Sequence, residues 1–486
     1  MAKRVAVIDI GSNSVRLVVF EKTSRFAFHL LNESKSRVRL SQNVYQNDGN
    51  LQEDAMQRTI DTLRDFKGIA SSYKVRKTLC VATSALRDAP NKKEFIQRVK
   101  KELQLNIKVI DGKKEAYLGA IACANLLPTQ KNAISIDIGG GSTELALIDE
   151  KNVTTTFSIN LGTVRLKELF YDSNKKEDLI KYIDEKLQVL DNLNISTIIG
   201  IGGTFRAISS AILKNSNYPL NKIHAFSYTN IELDNFIALL LKADEKELKS
   251  LGIKNERFDI IKPGAIILQR VLAKLSIQNV MASGVGVREG VYLSDLLRGA
   301  KDRFPTHYNT SVKYILDAHV DDKDFSNQLS HLCKKIFDIT HEHLNISKEY
   351  RKDLSIAAKL YPSGNSIHFF SKNKHSYYLI QSALEYGFTH SQITLIATLC
   401  NYAKRKLPSV SHVQKYAQLL PDTKTLNELS YIISLSISLL SHRPRNIDFE
   451  LKFNDGVLSV ESNKPLRLSK EAVNKLSTIK NLRIDF

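Results

Sequence analysis

The 486-residue chain has no tryptophan, and cysteine (4), methionine (3) and proline (10) are scarce. Cys80, Cys123, Cys333 and Cys400 stand far apart, with no CxxC pair and no His-Cys cluster, so neither a disulfide framework nor a zinc site is indicated. A reducing compartment is the expectation. No apolar run reaches the ~20 residues of a membrane helix; the longest near the C-terminus, 431–440, is broken by three serines. The N-terminal run Met1-Ala2-Lys3-Arg4-Val5 meets Asp9 almost at once, with no small-residue cleavage site after it, so no secretory signal is expected. No block of five or six like charges forms a basic tail. No aromatic-basic pattern resembles an RNA-reading sheet, which argues against nucleic acid as a partner. A cytoplasmic protein without membrane contact is expected.

What is present is positive charge. Seventy Lys and Arg face fifty-one Asp and Glu, a net of +19, which favours anionic partners. The excess sits at the ends. Residues 1–100 carry 19 basic and 10 acidic groups, 101–300 carry 25 and 23, and 301–486 carry 26 and 18. With 43% hydrophobic and 25% charged residues the chain should fold, and its length suggests about three domains. Up to residue 300, short β-branched runs alternate with helical patterns, the texture of α/β lobes with largely parallel sheets. Strands are predicted at 5–10, 15–20, 78–82, 107–110, 133–138, 143–148, 197–201 and 280–282. Helices are predicted at 54–73, 92–103, 114–125, 176–192, 205–214, 231–241, 258–275 and 288–297. From 308 to about 440 helical patterns dominate. Beyond them Asn454-Asp455-Gly456, between apolar runs, signals a β-hairpin, followed by a short helix and a final strand. The predicted domains are 1–125, 126–300 (its last helix returning to the first lobe) and 301–486.

The first half contains an internal echo. Residues 5–17 and 133–145 share one layout: an apolar strand ending in Asp-Ile, a Gly-rich turn with hydroxyls, then a second strand. The copies are about 128 residues apart, which implies two related α/β halves with a cleft between them. Each strand delivers an aspartate, Asp9 or Asp137, to its C-terminal end. The turns Gly11-Ser12-Asn13-Ser14 and Gly139-Gly140-Gly141-Ser142-Thr143 offer backbone N–H groups and hydroxyls to an anion, since glycine lets a ligand approach the backbone closely. The Walker pattern GxxxxGK[ST] is absent. A tight turn with a satisfied Asp would explain either copy alone; the pair points to phosphate.

Asp-Ile-Gly-Ser-Asn-Ser and Asp-Ile-Gly-Gly-Gly-Ser-Thr-Glu resemble the two phosphate loops of the actin, sugar kinase and heat-shock ATPase superfamily. In detail they are similar to the exopolyphosphatase and guanosine pentaphosphate phosphatase family, whose other markers follow in order. These are Val81-Ala82-Thr83-Ser84-Ala85-Leu86-Arg87-Asp88-Ala89, Ile110-Asp111-Gly112-Lys113-Lys114-Glu115-Ala116, Gly200-Ile201-Gly202-Gly203-Thr204 and Gly284-Val285-Gly286-Val287-Arg288-Glu289-Gly290. The resemblance covers 5 to about 298 and continues more weakly to the C-terminus. It implies two actin-like (ribonuclease H-like) α/β lobes with an inter-lobe cleft, then a mostly helical, degenerate His-Asp-type domain ending in a small β-hairpin.

The activity so implied is hydrolysis of a phosphoanhydride. Its substrate would be the terminal phosphate of inorganic polyphosphate, the 5′-triphosphate of guanosine pentaphosphate, or both. Such chemistry needs a phosphate cradle, a cation against developing charge and a group that activates water. The resemblance assigns the base to Glu115, with Glu144 as a second catalytic carboxylate. Asp9, Asp137 and Glu144 become the candidate ligands of Mg²⁺ or another divalent cation, which takes carboxylate and phosphate oxygens. Gly11, Ser12, Asn13, Ser14, Arg16, Arg87, Gly139, Gly140, Gly141, Ser142, Thr143, Gly202, Gly203 and Thr204 are the candidate phosphate contacts. Lys113 and Lys114 replace the acids usual beside the base, and two lysines there would lower the pKa of Glu115. Arg87 also reads as an ordinary surface arginine, and Arg288 with Glu289 as a structural ion pair.

In the helical region Tyr361-Pro362 occupies the place of the His-Asp pair. His331, His368 and His375 are left without central ligands, so no metal site is expected there. Lys404-Arg405-Lys406, Arg443 and Arg445 suit either a polyanion path or a solvated face. The family often forms homodimers, and a dimer is expected. Two other readings stay open: an actin-like kinase or ATPase, and a noncatalytic sensor that binds polyphosphate or a guanosine alarmone.

Overall fold

The structure is a computed structural model that describes residues 3–172 and 175–486. Met1 and Ala2, the start of the N-terminal run considered above, lie outside the described residues. The chain divides into two compact units, Met1–Tyr308 and Asn309–Phe486.

The first unit is built on two sheets. Five strands, β1 (Arg4–Ile10), β2 (Val15–Lys22), β3 (Phe28–Ser36), β4 (Lys77–Ala82) and β5 (Ile107–Val109), stand in the order β3-β2-β1-β4-β5. Six more, β6 (Gln130–Ile138), β7 (Thr143–Glu150), β8 (Asn152–Ile159), β9 (Thr197–Ile201), β10 (Ser227–Thr229) and β11 (Asn279–Ala282), stand in the order β10-β11-β9-β6-β7-β8. The echo in sequence is therefore an echo in topology. In each sheet three antiparallel strands lead into a parallel series, and β1 and β6 hold the same place. β1 is mostly buried along its length and β6 from Ala133 onward, as central strands are, whereas β3 and β8 at the edges keep many residues in contact with solvent.

Each sheet has its own core. Phe95, Leu63 and Ile60 pack beneath the first, and Phe205, Ile208 and Leu268 beneath the second. Helix Gly112–Leu126 links the two, pressing Ala120, Cys123 and Ala124 onto β9 and β11 of the second sheet. Against it lies helix Val287–Leu296, which also returns to the first sheet: the Tyr292 ring stacks on Phe20 at 4.4 Å, and Asp295 pairs with Lys77 at 2.5 Å. Gly290 makes that crossing possible, since a Cβ there would meet the Leu118 carbonyl oxygen at 2.0 Å.

The second unit is helical, with long helices at Lys323–Leu344 and Thr423–Leu439, and ends in the sheet β12 (Glu450–Asn454), β13 (Val457–Glu461) and β14 (Arg483–Asp485). The hairpin turns at Asp455 and Gly456, whose φ values of 44° and 82° are the left-handed pair that its two-residue turn demands. Two α/β halves of like topology and a helical region with a terminal hairpin are thus present. Four details differ from the predicted elements. β3, β8, β10 and the short helices Ser84–Asp88, Thr163–Leu166 and Glu245–Ser250 were not foreseen; the segment predicted as one helix at 176–192 is an α-helix only over Lys176–Lys186; the helix expected from 205 begins at Gly202; and the first unit runs on to Tyr308. All four cysteines are free and buried. Among the described residues no helix is long and apolar enough to cross a membrane.

Candidate active site

The two hairpin turns are the same structure twice. Gly11 N–H donates to the Ser14 carbonyl at 3.2 Å and Gly139 N–H to the Ser142 carbonyl at 2.9 Å. Strand register places Asp9 opposite Arg16 in one copy and Asp137 opposite Glu144 in the other. One lobe presents an arginine where the other presents a glutamate. Among the described residues, nothing accepts from the N–H groups of Ser12, Asn13, Gly140 or Gly141. These residues line a common cleft, so the N–H groups form paired anion nests. The turns nearly touch: a Cβ on Gly140 would meet Ser12 Cβ at 2.9 Å, and one on Gly141 would meet Ser84 Oγ at 2.4 Å. The second turn is braced from behind, its Gly139 and Gly140 carbonyls accepting from Thr163 and Val164 and its Gly141 carbonyl from Arg165 Nε at 2.9 Å.

Glu115 comes from the first turn of helix Gly112–Leu126, whose N-cap Asp111 accepts from Lys114 N–H at 2.8 Å. An ordinary first-turn glutamate faces water, but this one is 9% exposed and lines the cleft. Arg87 Nη1 donates to Glu115 Oε2 at 2.9 Å, and its Nη2 lies 3.3 Å from Ser142 Oγ and 3.9 Å from Glu144 Oε1. Glu144 Oε1 accepts from Ser142 Oγ at 2.6 Å and from Ser158 Oγ at 3.0 Å. Burial pushes the Glu115 carboxyl well above the usual carboxylate range, and the neighbouring Glu144 adds to this while Arg87 opposes it. Burial likewise raises Glu144, with Ser142 opposing and Asp137 adding. Lys113 and Lys114 are exposed and do not figure among the groups that shift Glu115; the Lys114 amine lies over the Tyr117 ring. The expected lowering by the two lysines is therefore replaced by a rise, because water screens exposed charges and Glu115 is shielded from it.

Asp9 and Asp137 face the same cleft, and neither carboxylate accepts a hydrogen bond from a described residue. Burial raises both, Asp137 to about 6. Among the described residues no group of three or more His, Cys, Asp or Glu side chains converges on one point as a ready-made metal cage. Two open carboxylates instead suit a hard cation that completes its shell with water and phosphate oxygens.

Gly202, Gly203 and Thr204 also line the cleft; Gly202 is in the left-handed region at φ +80°, and a Cβ there would also lie 2.1 Å from Asp137 Oδ1. Two of the candidate phosphate contacts do not line it. Thr143 is fully buried and its hydroxyl donates to the Leu161 carbonyl at 2.6 Å, while Arg87 sits behind Glu115 and Ser142. The structure adds residues that no local motif marked, Lys35, Arg206 and Arg257; Arg288, read from its motif as the ion-pair partner of Glu289, instead pairs with Glu33 at 2.5 Å and lines the cleft as well, while Glu289 accepts from Gly286 N–H at 2.7 Å. Burial and mutual repulsion lower Arg16 to about 10 and also lower Arg206 and Arg257. Arg16, Lys35, Arg206 and Arg257 continue into an adjoining hollow with Lys214 and Lys254, where Glu256 is the one acidic lining residue among those described. Carboxylates gather at the hairpin turns, and cations lead away from them.

A sequence profile described as the Ppx/GppA phosphatase family matches residues 18–299, and one described as Ppx/GppA phosphatase, domain III, matches residues 309–475. The bifunctional 3-dehydroquinate synthase/phosphatase of Fusobacterium nucleatum is 34% identical over 289 residues, which are 55% of this chain and 43% of that protein. The chain thus spans less than half the length of that curated relative. The crystal structure of the Aquifex aeolicus member of the Ppx/GppA family superposes with a TM-score of 0.54 at 28% identity, over 62% of this chain and 99% of that one. An exopolyphosphatase from Cytophaga hutchinsonii gives 0.57 at 26% identity, over 62% of this chain and all of that one.

Proposed function

The chain belongs to the Ppx/GppA phosphatase family, and from that membership we propose that it releases terminal phosphate from inorganic polyphosphate, from the 5′-triphosphate of guanosine pentaphosphate, or from both. One observation carries the reading: two N–H nests meet beside a shielded glutamate, and a run of cations leads away from them. That is the charge distribution of a phosphate chain held by one end. The terminal phosphoryl group lies in the nests of Ser12, Asn13, Gly140 and Gly141, and the following phosphates lie along Arg16, Arg206 and Arg257.

Glu115 is the base. Its carboxylate takes a proton from the attacking water, which its raised pKa favours near neutral pH. Arg87 sets the orientation of Glu115 and opposes the rise of its carboxyl. Glu144, fixed by Ser142 and Ser158, orients the water from the other side. Asp9 and Asp137, with Glu144 nearby, would hold Mg²⁺ or another divalent cation, whose chemistry is to neutralise charge on the phosphate oxygens as the bridging bond breaks. The exposure of Lys113 and Lys114 and the rise of the Glu115 carboxyl favour the hydrolase over a noncatalytic sensor. A homodimer in the cytoplasm belongs to the same proposal.

The test is phosphate release from long polyphosphate, guanosine pentaphosphate and ATP side by side, with Mg²⁺ or with chelator. Release from at least one of the first two, lost with chelator and lost by on the order of 10³ in Glu115→Gln with binding retained, is expected. Release from neither, or full activity in Glu115→Gln, overturns the reading.

A further inference from the structure

The second unit contains a cavity of about 850 Å³, within the ~300–1,000 Å³ of small-molecule sites. Its wall includes Tyr361, the residue at the position expected for a metal-binding pair, yet no His, Asp or Cys lines it. The chemistry of the wall is the reverse of a metal site. Five cations, Lys374, Lys404, Arg405, Lys406 and Lys475, surround it from three separate elements: helix Lys372–Ala383, the loop after helix His390–Asn401, and the turn after helix Arg467–Val473.

Among the described residues none of the five has a carboxylate within 4.0 Å, and the one acidic lining residue, Glu471, is already paired with Arg467 at 3.2 Å. A solvated charged face would not bring three distant elements to one hollow. The loop is also anchored, its Arg405 carbonyl accepting from Ser477 N–H at 2.9 Å. Inside, Tyr361 is 2% exposed but its hydroxyl makes no hydrogen bond to a described residue. The rest of the wall is mixed: Tyr402, Ile437, Leu468 and Leu476 supply its apolar part, with Leu468 58% exposed, and Asn373, Asn401, Ser434, Ser438 and Ser441 its neutral polar part.

We propose that this cavity binds a nucleoside phosphate, its phosphates on the rim cations and its base between Tyr402, Ile437 and Leu476, within reach of the Tyr361 hydroxyl. An inorganic phosphate chain would engage the rim alone and leave the apolar wall and the phenol uncovered.

Photolabelling of the full-length chain with 8-azido-ATP, followed by digestion and mass spectrometry, tests this. The expected result is label on peptides containing Tyr361 or Tyr402. Unlabelled ATP or GTP should displace it at a concentration about tenfold below that of inorganic tripolyphosphate. The exposed charge reversals Lys374→Glu and Lys404→Glu, combined and with an unchanged melting temperature, should cut the label about tenfold. No label on those peptides, equal displacement by tripolyphosphate, or undiminished label in the folded variant overturns the proposal. Displacement does not depend on any variant folding, so it decides the matter even where the double reversal is unstable.

Discussion

Asp137→Asn should make the free protein more stable at pH 8 while impairing its action on phosphate. In the folded chain the Asp137 carboxyl titrates at about 6, against 3.8 for the ordinary side chain. Burial is the main cause, Arg206 opposes it and Asp9 adds to it. Because the folded value is the higher one, this group's contribution to stability is complete below 3.8 and is lost as pH rises through about 6. A difference of about two units corresponds to at most about 3 kcal/mol, since each unit is worth ~1.4. Arg206 does not counter this when the charge is removed, because Glu289 is its larger attractive partner and remains. At roughly 2 °C per kcal/mol for a unit of this size, the variant should melt up to ~6 °C above the parent at pH 8. Near pH 4, where the parent carboxyl is protonated, the two should melt together. Melting curves from pH 4 to 8 in chelator measure the difference directly. A variant less stable than the parent at pH 8, or the same offset at both ends of the range, would refute the reasoning.

Arg87→Met removes the guanidinium that holds Glu115 down, so the acid limb of the pH–rate profile should move to higher pH and release at neutral pH should fall by on the order of 10². A fall with an unmoved limb would mean that Arg87 acts on substrate alone. Gly141→Ala places a Cβ 2.4 Å from Ser84 Oγ and 2.9 Å from Tyr45 Oη, which should cost ~1–3 kcal/mol by overpacking and raise KM by separating the paired turns. Kinetics and a melt on the same preparation separate the two effects. Gly202→Ala combines a left-handed backbone with a Cβ 2.1 Å from Asp137 Oδ1, so it should depress kcat more than it lowers the melting temperature.

How much of this was legible in the sequence depends on the distance over which each group acts. The echo of Asp-Ile-Gly was readable because it is local: apolar strand, aspartate and tight turn lie within a dozen residues, and the fold repeats them with identical turn hydrogen bonds. β3, with Asn32, Glu33, Ser34 and Lys35 in a row, and β8, with three consecutive threonines, were hidden because edge strands keep one face wet and are specified by pairing with β2 and β7. Ser158 could not be connected to Glu144 from the sequence either, since only the register of β7 with β8 sets the two side by side. Arg206 and Arg257 were invisible for a related reason. Nothing local distinguishes a helical or loop arginine that reaches a cleft from one that reaches water, and the distinguishing quantity is burial. The same quantity reverses the expected effect of Lys113 and Lys114. Adjacency in sequence made them look like the neighbours that govern Glu115, whereas the groups that govern it are Glu144 and Arg87, brought in by β7 and by the short helix after β4. A carboxyl group set by long-range packing explains how the chain can lack the usual flanking acids and still present a shielded carboxylate beside the paired turns.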